Sequence, residues 1–411
     1  MTLPNFTRAV GKKEKEEAQK ITMYRPLRPC SPADLAAELA SPTAEWTRSD
    51  GSNAPNSSSA GFRYGPLLLS RGCEVPQLDP LSVRKCLHSR HLLFVGDSFS
   101  RYMYLVLATF LVEGLWPSDH ELSQGHESPC LESSYLRSSE PAAYQDHWKR
   151  YFAGTSTRLR GHELCDCYRR ACCHEDELVE NRFFKLDKDS STTRLSFISF
   201  GLHNSRWRSH GTVPLGDHHA MRHALRCAPG ECVQPSIPFG NGTSRQAAWT
   251  WAIEQQELLP YALPALNVTD LLFGSWFHHV PSRNHSGDDS AIHRHESLFA
   301  RARPFVAELR SAWWRSTTFR QGSKYTMTCT SKKMWSEGRC YEVEDAKADN
   351  AAQRLGGLKL LNATALTAQL SQRVRRAYMP DHLHFQCSIY RELLLLLLGA
   401  MGCGAAKSPT L

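Results

Sequence analysis

The residues with the clearest chemical potential lie in HLLFVGDSFSRYM, residues 91–103, where an apolar run stops at Gly-Asp-Ser and a new apolar pattern begins. A serine between a buried strand and a helix lies at the carboxyl edge of a sheet, beside the N–H groups and positive dipole end of the helix. A nucleophile whose attack generates an oxyanion needs these surroundings. Ser98 is therefore a candidate nucleophile; the alternative is that Asp97 or Ser98 only caps the helix.

A serine nucleophile needs a base, and the base needs an orienting group. The stretch YMPDHLHFQC, residues 378–387, provides Asp381 and His384 in a D-x-x-H arrangement. We expect His384 to take the Ser98 proton and Asp381 to fix the imidazole tautomer. His382 is a rival base, but its spacing from Asp381 turns the two side chains apart. The spacing alone is weak, because a chain of this composition contains roughly one D-x-x-H by chance.

The elements that must position these residues follow an alternating pattern. Buried strands are predicted at 91–95, 194–200 and 270–277, with a strand-like stretch at 317–323; helices are predicted at 100–116, 301–314, 361–379 and 389–401. This alternation predicts an α/β fold with a mostly parallel sheet covered on both faces. We expect residues 1–60 to be a polar, poorly ordered lead-in or linker, and residues 61–404 to form the catalytic domain.

Composition and the N-glycosylation acceptor sites limit the compartments and partners that can be expected. The chain has 411 residues, a net charge of +8 and no basic stripe interleaved with aromatic residues, which argues against a nucleic-acid partner. Six of the ten asparagines stand in N-x-S/T, where about one or two are expected by chance. They are Asn5, Asn56, Asn241, Asn267, Asn284 and Asn362. This excess predicts passage through the secretory pathway, and a cytosolic protein with fortuitous sites is the alternative.

The 14 cysteines favour disulfides in an oxidising compartment. Cys227 with Cys232 and Cys329 with Cys340 are candidate local bridges, whereas the cluster CDCYRRACCH at 165–174 could also bind zinc. We expect disulfides there and no bound metal. The N-terminal residues contain neither a signal peptide nor a membrane span. We therefore expect the given sequence to lack the membrane anchor of the full-length protein; the alternative is that the prediction of a secretory compartment is wrong.

Several stretches together resemble one known family. They are CEVPQLDPLSVRKCLHSRHLLFVGDS at 73–98, FVGDSFSRY at 94–102, DLLFGSWFHH at 270–279, RSTTFRQGS at 315–323 and MPDHLHF at 379–385. With an early G-D-S and a late D-x-x-H, the chain resembles the SGNH hydrolase superfamily. Within it, the chain resembles the PC-esterase and trichome birefringence-like branch, which includes polysaccharide O-acetyltransferases. The resemblance covers roughly 62–400 and is strongest at its two ends.

The resemblance implies a three-layer α/β/α sandwich and a Ser98–His384–Asp381 triad. The expected oxyanion or substrate-binding residues are Asp97, Arg101, Gly274, Ser275 and His278, with Gly201 and Asn204 as an alternative donor pair. Arg101 could bind substrate, brace the turn or lie on the surface. The chain departs from the family where FGSW replaces G-x-N-D, and where Phe385 and Gln386 replace the Cys and Trp around the histidine.

The expected function is therefore glycan O-acetylation through an acyl-enzyme in the Golgi lumen, or by a secreted protein. Acetyl-CoA or an acetylated intermediate would be the co-substrate, supplied with or without a membrane partner, and no cofactor would stay bound. A carbohydrate acetylesterase of the same fold is the first alternative. A catalytically inactive glycan-binding protein is the second, and a zinc enzyme built on the cysteine cluster is the third.

Overall fold

The computed structural model describes residues 28–42, 45–48, 64–68, 73–117, 141–170, 177–200, 206–209, 251–274, 290–316, 339–367 and 385–404 of the chain. The protein is a mixed α/β protein built on a seven-stranded, mostly parallel central sheet. This confirms the α/β class and the mostly parallel sheet that the sequence predicts.

The strands of the described residues form the central sheet and three two-stranded pairs. They are β1 (Arg28–Pro29), β2 (Glu45–Arg48), β3 (Tyr64–Leu68), β4 (Cys73–Glu74), β5 (His91–Gly96), β6 (Glu163–Arg170), β7 (Glu177–Lys188), β8 (Ser191–Ser199), β9 (Arg206–Ser209), β10 (Trp251–Glu254), β11 (Asp270–Gly274), β12 (Ser311–Arg315) and β13 (Lys359–Leu361). The central sheet has the order β13-β12-β11-β5-β8-β7-β6, in which β7 runs antiparallel to both neighbours. The small pairs are β1–β4, β2–β3 and β9–β10.

The helices of the described residues follow the parallel strands or flank them. They are α1 (Pro32–Ala40), α2 (Pro80–Cys86), α3 (Ser98–Glu113), α4 (Pro141–Arg158), α5 (Gln255–Ala265), α6 (Ser290–Val306), α7 (Arg339–Gly356) and α8 (Cys387–Ala400). None of these helices is long and apolar enough to cross a membrane.

The order of the strand connections reverses at strand β5. Its neighbours are β8 on one side and β11 on the other, each paired with it in parallel. In sequence order, strands β6–β8 come first and lie on one side of β5, whereas β11–β13 come later and lie on the other side. In open α/β sheets, ligands bind outside the carboxyl ends of the strands at such a reversal. The residues that follow Gly96 therefore lie where a site is expected.

Both faces of β5 are buried, in two separate apolar clusters. Leu92 and Phe94 pack in one cluster with residues of α1, α2, α3, α4 and α8, whereas Leu93 and Val95 pack in the other with residues of α5, α6 and α7. Because successive strand side chains point to opposite faces, a sheet buried on both sides needs the continuous apolar run seen here.

Helix α3 is almost completely buried, which explains why its sequence is apolar on every side. Asp97 caps its amino end, because one carboxylate oxygen accepts a hydrogen bond from the Phe99 N–H at 3.1 Å. Gly114 ends the helix in the left-handed conformation, with φ of 84°, and donates to the Phe110 carbonyl. The strand–cap–helix reading of this stretch is confirmed.

Two sequence expectations about helices are corrected by the structure. The predicted helix 301–314 ends at Val306, and 311–315 form strand β12 instead, because Trp313 and Trp314 are buried in opposite clusters on the two faces of the sheet. Within the predicted helix 361–379, residue 361 ends β13 and residues 363–367 are helical; the remainder lies outside the described residues.

Part of the predicted lead-in also differs from the expectation. Residues 32–40 form α1, whose Leu35 and Leu39 are fully buried in the core cluster that contains α8. Ser31 and Asp34 form a reciprocal capping box at the start of this helix. This segment is therefore folded, because its two leucines share one helical face that is covered by the core. The domain boundary at residue 61 stays a prediction.

Disulfide bonds, which the sequence predicts, are confirmed. Cys30 pairs with Cys73 between β1 and β4, and Cys86 pairs with Cys403 across 317 positions of sequence. Cys165 pairs with Cys167 within β6, and Cys387 is also disulfide-bonded. The local bridges expected at 227–232 and 329–340 involve side chains outside the described residues.

Candidate active site

The strand-to-helix turn after β5 presents Ser98 at the carboxyl edge of the sheet. Gly96 ends the strand, Asp97 is the helix cap, and Ser98 is the first residue of the 16-residue helix α3. Asp97 is buried, whereas Ser98 is partly exposed. The N–H groups of the first helical turn have no carbonyl partner inside the helix, so this turn can stabilise an anion.

Asp97 joins this turn to a distant strand through a buried ion pair. The carboxylate oxygen that caps Phe99 also accepts a hydrogen bond at 2.9 Å from the guanidinium of Arg315, the last residue of β12. Both side chains are 1% exposed. The second carboxylate oxygen, Oδ2, is buried and has no hydrogen-bond partner among the residues that the structure describes.

Two glycines allow the strands to approach closely beside this turn. Gly96 and Gly274 are paired across β5 and β11. A Cβ atom on Gly96 would lie 1.9 Å from the Gly274 carbonyl oxygen and 2.5 Å from Ser100 Oγ. That carbonyl accepts hydrogen bonds from Ser100 Oγ at 3.2 Å and from Arg315 at 3.0 Å. Any larger residue at position 96 would separate the strand ends that form the edge.

Arg101 lies inside the protein rather than on its surface. Its guanidinium pairs with Glu180 of β7 at 2.9 Å and lies 5.0–5.5 Å from the ring centroids of Tyr102, Trp148 and Tyr151. The alternative that Arg101 lies on the surface is therefore wrong. These contacts are those of a bracing residue, and the substrate-binding role of Arg101 stays a prediction.

The Arg101–Glu180 pair belongs to a larger buried charge network. Arg182 contacts both Glu180 at 2.6 Å and Glu163 at 3.0 Å, and Tyr104 donates to Glu163 at 2.8 Å. Burial alone would raise the pKa of Glu180, but the guanidinium groups of Arg101 and Arg182 outweigh it and hold that pKa below its ordinary value. Burial and the carboxylate of Glu163 raise the pKa of Tyr104. The network therefore holds two cations and two anions against the helix that begins at Ser98.

Several expected site residues lie outside the described residues. They are Ser275, His278, Asp381 and His384, together with the alternatives Gly201, Asn204 and His382. Of the remaining candidates, the structure brings Asp97 and Gly274 together through Arg315, next to Ser98, whereas the Arg101 side chain contacts β7 and α4. The contacts given above for Gly274 use its carbonyl oxygen, an acceptor; its role as an oxyanion donor stays a prediction.

The residue bonded to His384 is described, and it is buried. Phe385 donates its N–H to the Tyr390 hydroxyl at 3.3 Å, and the Tyr390 ring lies 5.4 Å from the ring of Tyr102. Tyr102 is four positions after Ser98, which is about one helical turn. At its other end, α8 is followed by Met401, whose carbonyl accepts a hydrogen bond from Arg90 just before β5. Helix α8 therefore runs from the edge that carries Ser98 to the opposite edge.

Two of the six predicted glycosylation sites carry described side chains. Asn267 is exposed in the turn after α5. Asn362 is partly buried, and its side-chain oxygen accepts a hydrogen bond from the Ala365 N–H at 3.0 Å. Asn5, Asn56, Asn241 and Asn284 lie outside the described residues.

No group of three or more His, Cys, Asp or Glu residues that could hold a metal ion occurs in the described part of the chain. Cys165 and Cys167 of the cluster considered for zinc pair with each other, while Cys172, Cys173 and His174 lie outside the described residues.

Arg315 is the site residue that the sequence reasoning missed. It stands between the predicted helix 301–314 and the predicted strand-like stretch 317–323, and the family resemblance includes it in 315–323 without giving it a role. The available signal was a charged residue placed directly after two tryptophans, at the carboxyl end of a buried strand. Only the correct assignment of β12 brings this position to the same sheet edge as Ser98.

No family model matches the chain. No curated protein matches it at a significant level of similarity.

Proposed function

We propose that the protein is a glycan O-acetyltransferase that forms an acyl-enzyme on Ser98, with His384 as the base and Asp381 as its orienting group. The observation that carries the proposal is the position of Ser98. It is a partly exposed serine at the amino end of a long buried helix, directly after the central strand at the reversal point of a parallel sheet. This is the arrangement that an oxyanion-forming nucleophile requires.

The direction of helix α8 supports the choice of His384. Phe385, which is bonded to His384, contacts Tyr390, whose ring lies against Tyr102 in the first turns of α3. A base must come within hydrogen-bond reach of the serine hydroxyl. The D-x-x-H segment adjoins an end of α8 that lies at the same sheet edge as Ser98, as the proposal requires.

The proposed reaction has two steps. His384 accepts the Ser98 proton as the serine oxygen attacks the acetyl carbonyl, and the resulting oxyanion is held by the Ser98 N–H and a donor from the segment after β11. The intermediate collapses, the leaving group takes the proton from His384, and acetyl-Ser98 remains. A sugar hydroxyl then loses its proton to His384 and attacks the acyl-enzyme, which releases the acetylated sugar and restores Ser98 and neutral His384.

Fold, compartment and partners complete the proposal. Apolar clusters on both faces of β5 support a three-layer α/β/α arrangement of the SGNH type. The disulfides Cys30–Cys73 and Cys86–Cys403 support a secretory or Golgi-lumenal location, because such bonds persist in oxidising compartments. We propose a glycan acceptor and a soluble or membrane-delivered acetyl donor as the partners.

The test compares the wild-type protein with Ser98→Ala and with Ser82→Ala, a control at a partly exposed serine in the first turn of helix α2. Each protein is incubated with a chromogenic acetyl ester, with and without glycan acceptors, while free acetate and acetylated sugar are followed by mass spectrometry. We expect acetyl transfer in the wild type and in Ser82→Ala, and a loss of at least about 1,000-fold in Ser98→Ala.

Other outcomes separate the alternatives. Acetate release that needs Ser98, without acetylated sugar, would assign the acetylesterase. Glycan binding without any Ser98-dependent turnover would assign the inactive binding protein. Activity that is unchanged in Ser98→Ala would refute the acyl-enzyme proposal itself.

A further inference from the structure

Arg315 reaches across the end of the sheet to the turn that holds Ser98. From the last position of β12, one of its terminal nitrogens, Nη2, donates to Asp97 Oδ1 at 2.9 Å, to the Gly274 carbonyl at 3.0 Å and to Ser100 Oγ at 3.4 Å. The other, Nη1, donates to the Ser316 carbonyl at 3.0 Å. One buried guanidinium thus connects the ends of β11 and β12 with the first turn of α3.

The backbone around Arg315 leaves room for this contact because residue 274 has no side chain. A Cβ atom on Gly274 would lie 2.7 Å from the Arg315 carbonyl oxygen and 3.0 Å from its Nε. The guanidinium also lies 5.4 Å from the centre of the Phe99 ring. Contacts with β11 and with the Phe99 ring limit the positions that the guanidinium can take, and hence those of the Asp97 carboxylate that it contacts.

The buried carboxylate of Asp97 requires a cationic partner such as Arg315. A buried carboxylate is costly unless it is paired, and here it belongs to the residue directly before the proposed nucleophile. Its negative charge would also oppose an oxyanion forming next to it, in surroundings where burial strengthens charge interactions. Arg315 is the cation that contacts this carboxylate among the described residues.

We propose that Arg315 is a positioning residue for Ser98. It holds Asp97 in place as the cap of α3, and it neutralises the carboxylate that would otherwise oppose oxyanion formation. This inference rests on the proposed acyl-enzyme on Ser98, and it adds a role for a residue 217 positions later in the sequence. A purely structural arginine would also stabilise the fold, so the test must separate stability from turnover.

The experiment uses full-length variants and two readouts: kcat and KM on a nitrophenyl acetate ester, and the rate at which a fluorophosphonate labels Ser98. Arg315→Met leaves Asp97 unpaired, Arg315→Lys restores the charge without the planar guanidinium, and Asp97→Asn with Arg315→Met removes both charges. Arg90→Met is the matched control, because it removes another buried arginine at the opposite edge of the sheet. Rates are divided by the folded fraction of each variant, determined by circular dichroism.

We expect kcat and the labelling rate to fall on the order of 100-fold in Arg315→Met, with KM changed less than about 3-fold. Arg315→Lys should recover about 10-fold of this loss. The kcat of the double variant should be about 10-fold higher than that of Arg315→Met, because no unpaired carboxylate remains next to Ser98. Arg90→Met should retain the wild-type kcat per folded molecule.

Two results would overturn the inference. One is a wild-type kcat in folded Arg315→Met, and the other is a double variant no faster than Arg315→Met. If Arg315→Met does not fold, a wild-type kcat in folded Arg315→Lys would overturn the inference instead. A failure of the acyl-enzyme proposal is distinct, because Ser98→Ala would then keep the wild-type rate and no variant would be labelled at Ser98.

Discussion

The two edges of the central sheet each bury an arginine–aspartate pair, but the pairs differ in how completely they are satisfied. At the amino edge, Asp270 accepts two hydrogen bonds from Arg90, one from Ser311 at 2.6 Å and one from Thr269 at 2.7 Å. At the carboxyl edge, Asp97 accepts hydrogen bonds from Arg315 and from the Phe99 N–H through one oxygen. Asp97 Oδ2 and Arg315 Nε have no partner among the described residues.

We interpret this difference as one between a structural pair and a pair that serves the proposed site. A bidentate, fully bonded pair recovers much of the cost of burying its charges, and the Arg90–Asp270 pair lies next to the Cys86–Cys403 disulfide. Orphaned buried polar atoms are rare in proteins and cluster where function tolerates a cost in stability. The edge that carries Ser98 has such atoms, and the opposite edge has a saturated carboxylate.

The largest effect on the free energy of unfolding is expected when the aspartate of each pair is replaced, in separate variants, by asparagine. Asp270→Asn should lower the free energy of unfolding by about 3–5 kcal/mol, because an amide cannot accept from all four donors and Arg90 loses its counter-charge. Asp97→Asn should cost less, about 2–3 kcal/mol, because Arg315 also loses its counter-charge but the amide oxygen can still accept from Phe99 and Arg315. Urea unfolding of both variants measures the two costs.

Activity should show the reverse order. Asp97→Asn should lower kcat about 10-fold, equivalent to ~1.4 kcal/mol of barrier, because the neutral amide accepts more weakly from Phe99 and Arg315 and so positions the first turn of α3, with Ser98, less firmly. Asp270→Asn should keep the wild-type kcat per folded molecule. Equal stability costs at the two positions, or a larger loss of kcat at Asp270, would contradict the distinction between the edges.

The amino edge can also be tested through its disulfide. Replacing Cys86 and Cys403 by alanine should lower the free energy of unfolding by about 3 kcal/mol, because the bond restricts a very long loop of the unfolded chain. The same replacement of Cys30 and Cys73, which are 43 positions apart, should cost about 1–2 kcal/mol less. Denaturant unfolding compares the two variants, and turnover per folded molecule should be unchanged without Cys86–Cys403; a fall in kcat would show that the amino edge also serves the site.

A partly buried aspartate, Asp349, should make the stability of the protein depend on pH. Asp349 of α7 accepts a hydrogen bond from Trp314 Nε1 at 2.7 Å, and no ion pair involves it within the described part of the chain. Burial outweighs this hydrogen bond and raises its pKa from 3.8 to about 6. The folded state therefore binds more protons than the unfolded state between about pH 4 and pH 6. Stability should fall by roughly 3 kcal/mol as the pH rises through this window and then level off.

Asp349→Asn should remove this pH dependence while keeping an acceptor for Trp314, as thermal unfolding between pH 4 and pH 8 would show. Asp187→Asn is a control of opposite sign. Its pKa is lowered by the Thr192 hydroxyl and by Lys185, so the stabilisation it contributes is lost as the pH falls. An unchanged pH profile in Asp349→Asn would mean that this carboxyl is ionised throughout the window.

The elements next to Ser98 could be predicted because their signals are local. The run HLLFV predicts β5, and the change of pattern at Asp97 predicts the start of α3 to within two residues. The apolar stretch 389–401 likewise predicts α8. Apolar periodicity and a capping side chain act within a few residues, so they can be read without knowing the rest of the fold.

The errors occurred where a distant neighbour overrides the local pattern. SAWWR resembles the end of a helix by its spacing, but β11 and β13 on either side make it a strand. PADLAAELA lies in a polar, unpromising region, yet α8 and the Cys30–Cys73 bond make it part of the core. Neither partner segment is near in sequence, so propensity and periodicity could not identify them.

By itself the sequence determined the α/β class, the presence of disulfides and the strand–cap–helix unit that presents Ser98, because each depends on composition or on contacts within one turn. Only the tertiary structure decided that Arg315 pairs with Asp97, that Arg101 is buried against Glu180, and that Cys86 joins Cys403. Each of these contacts links residues at least 79 positions apart. Their formation depends on the spatial order of the strands in the sheet, and no local pattern in the chain encodes that order.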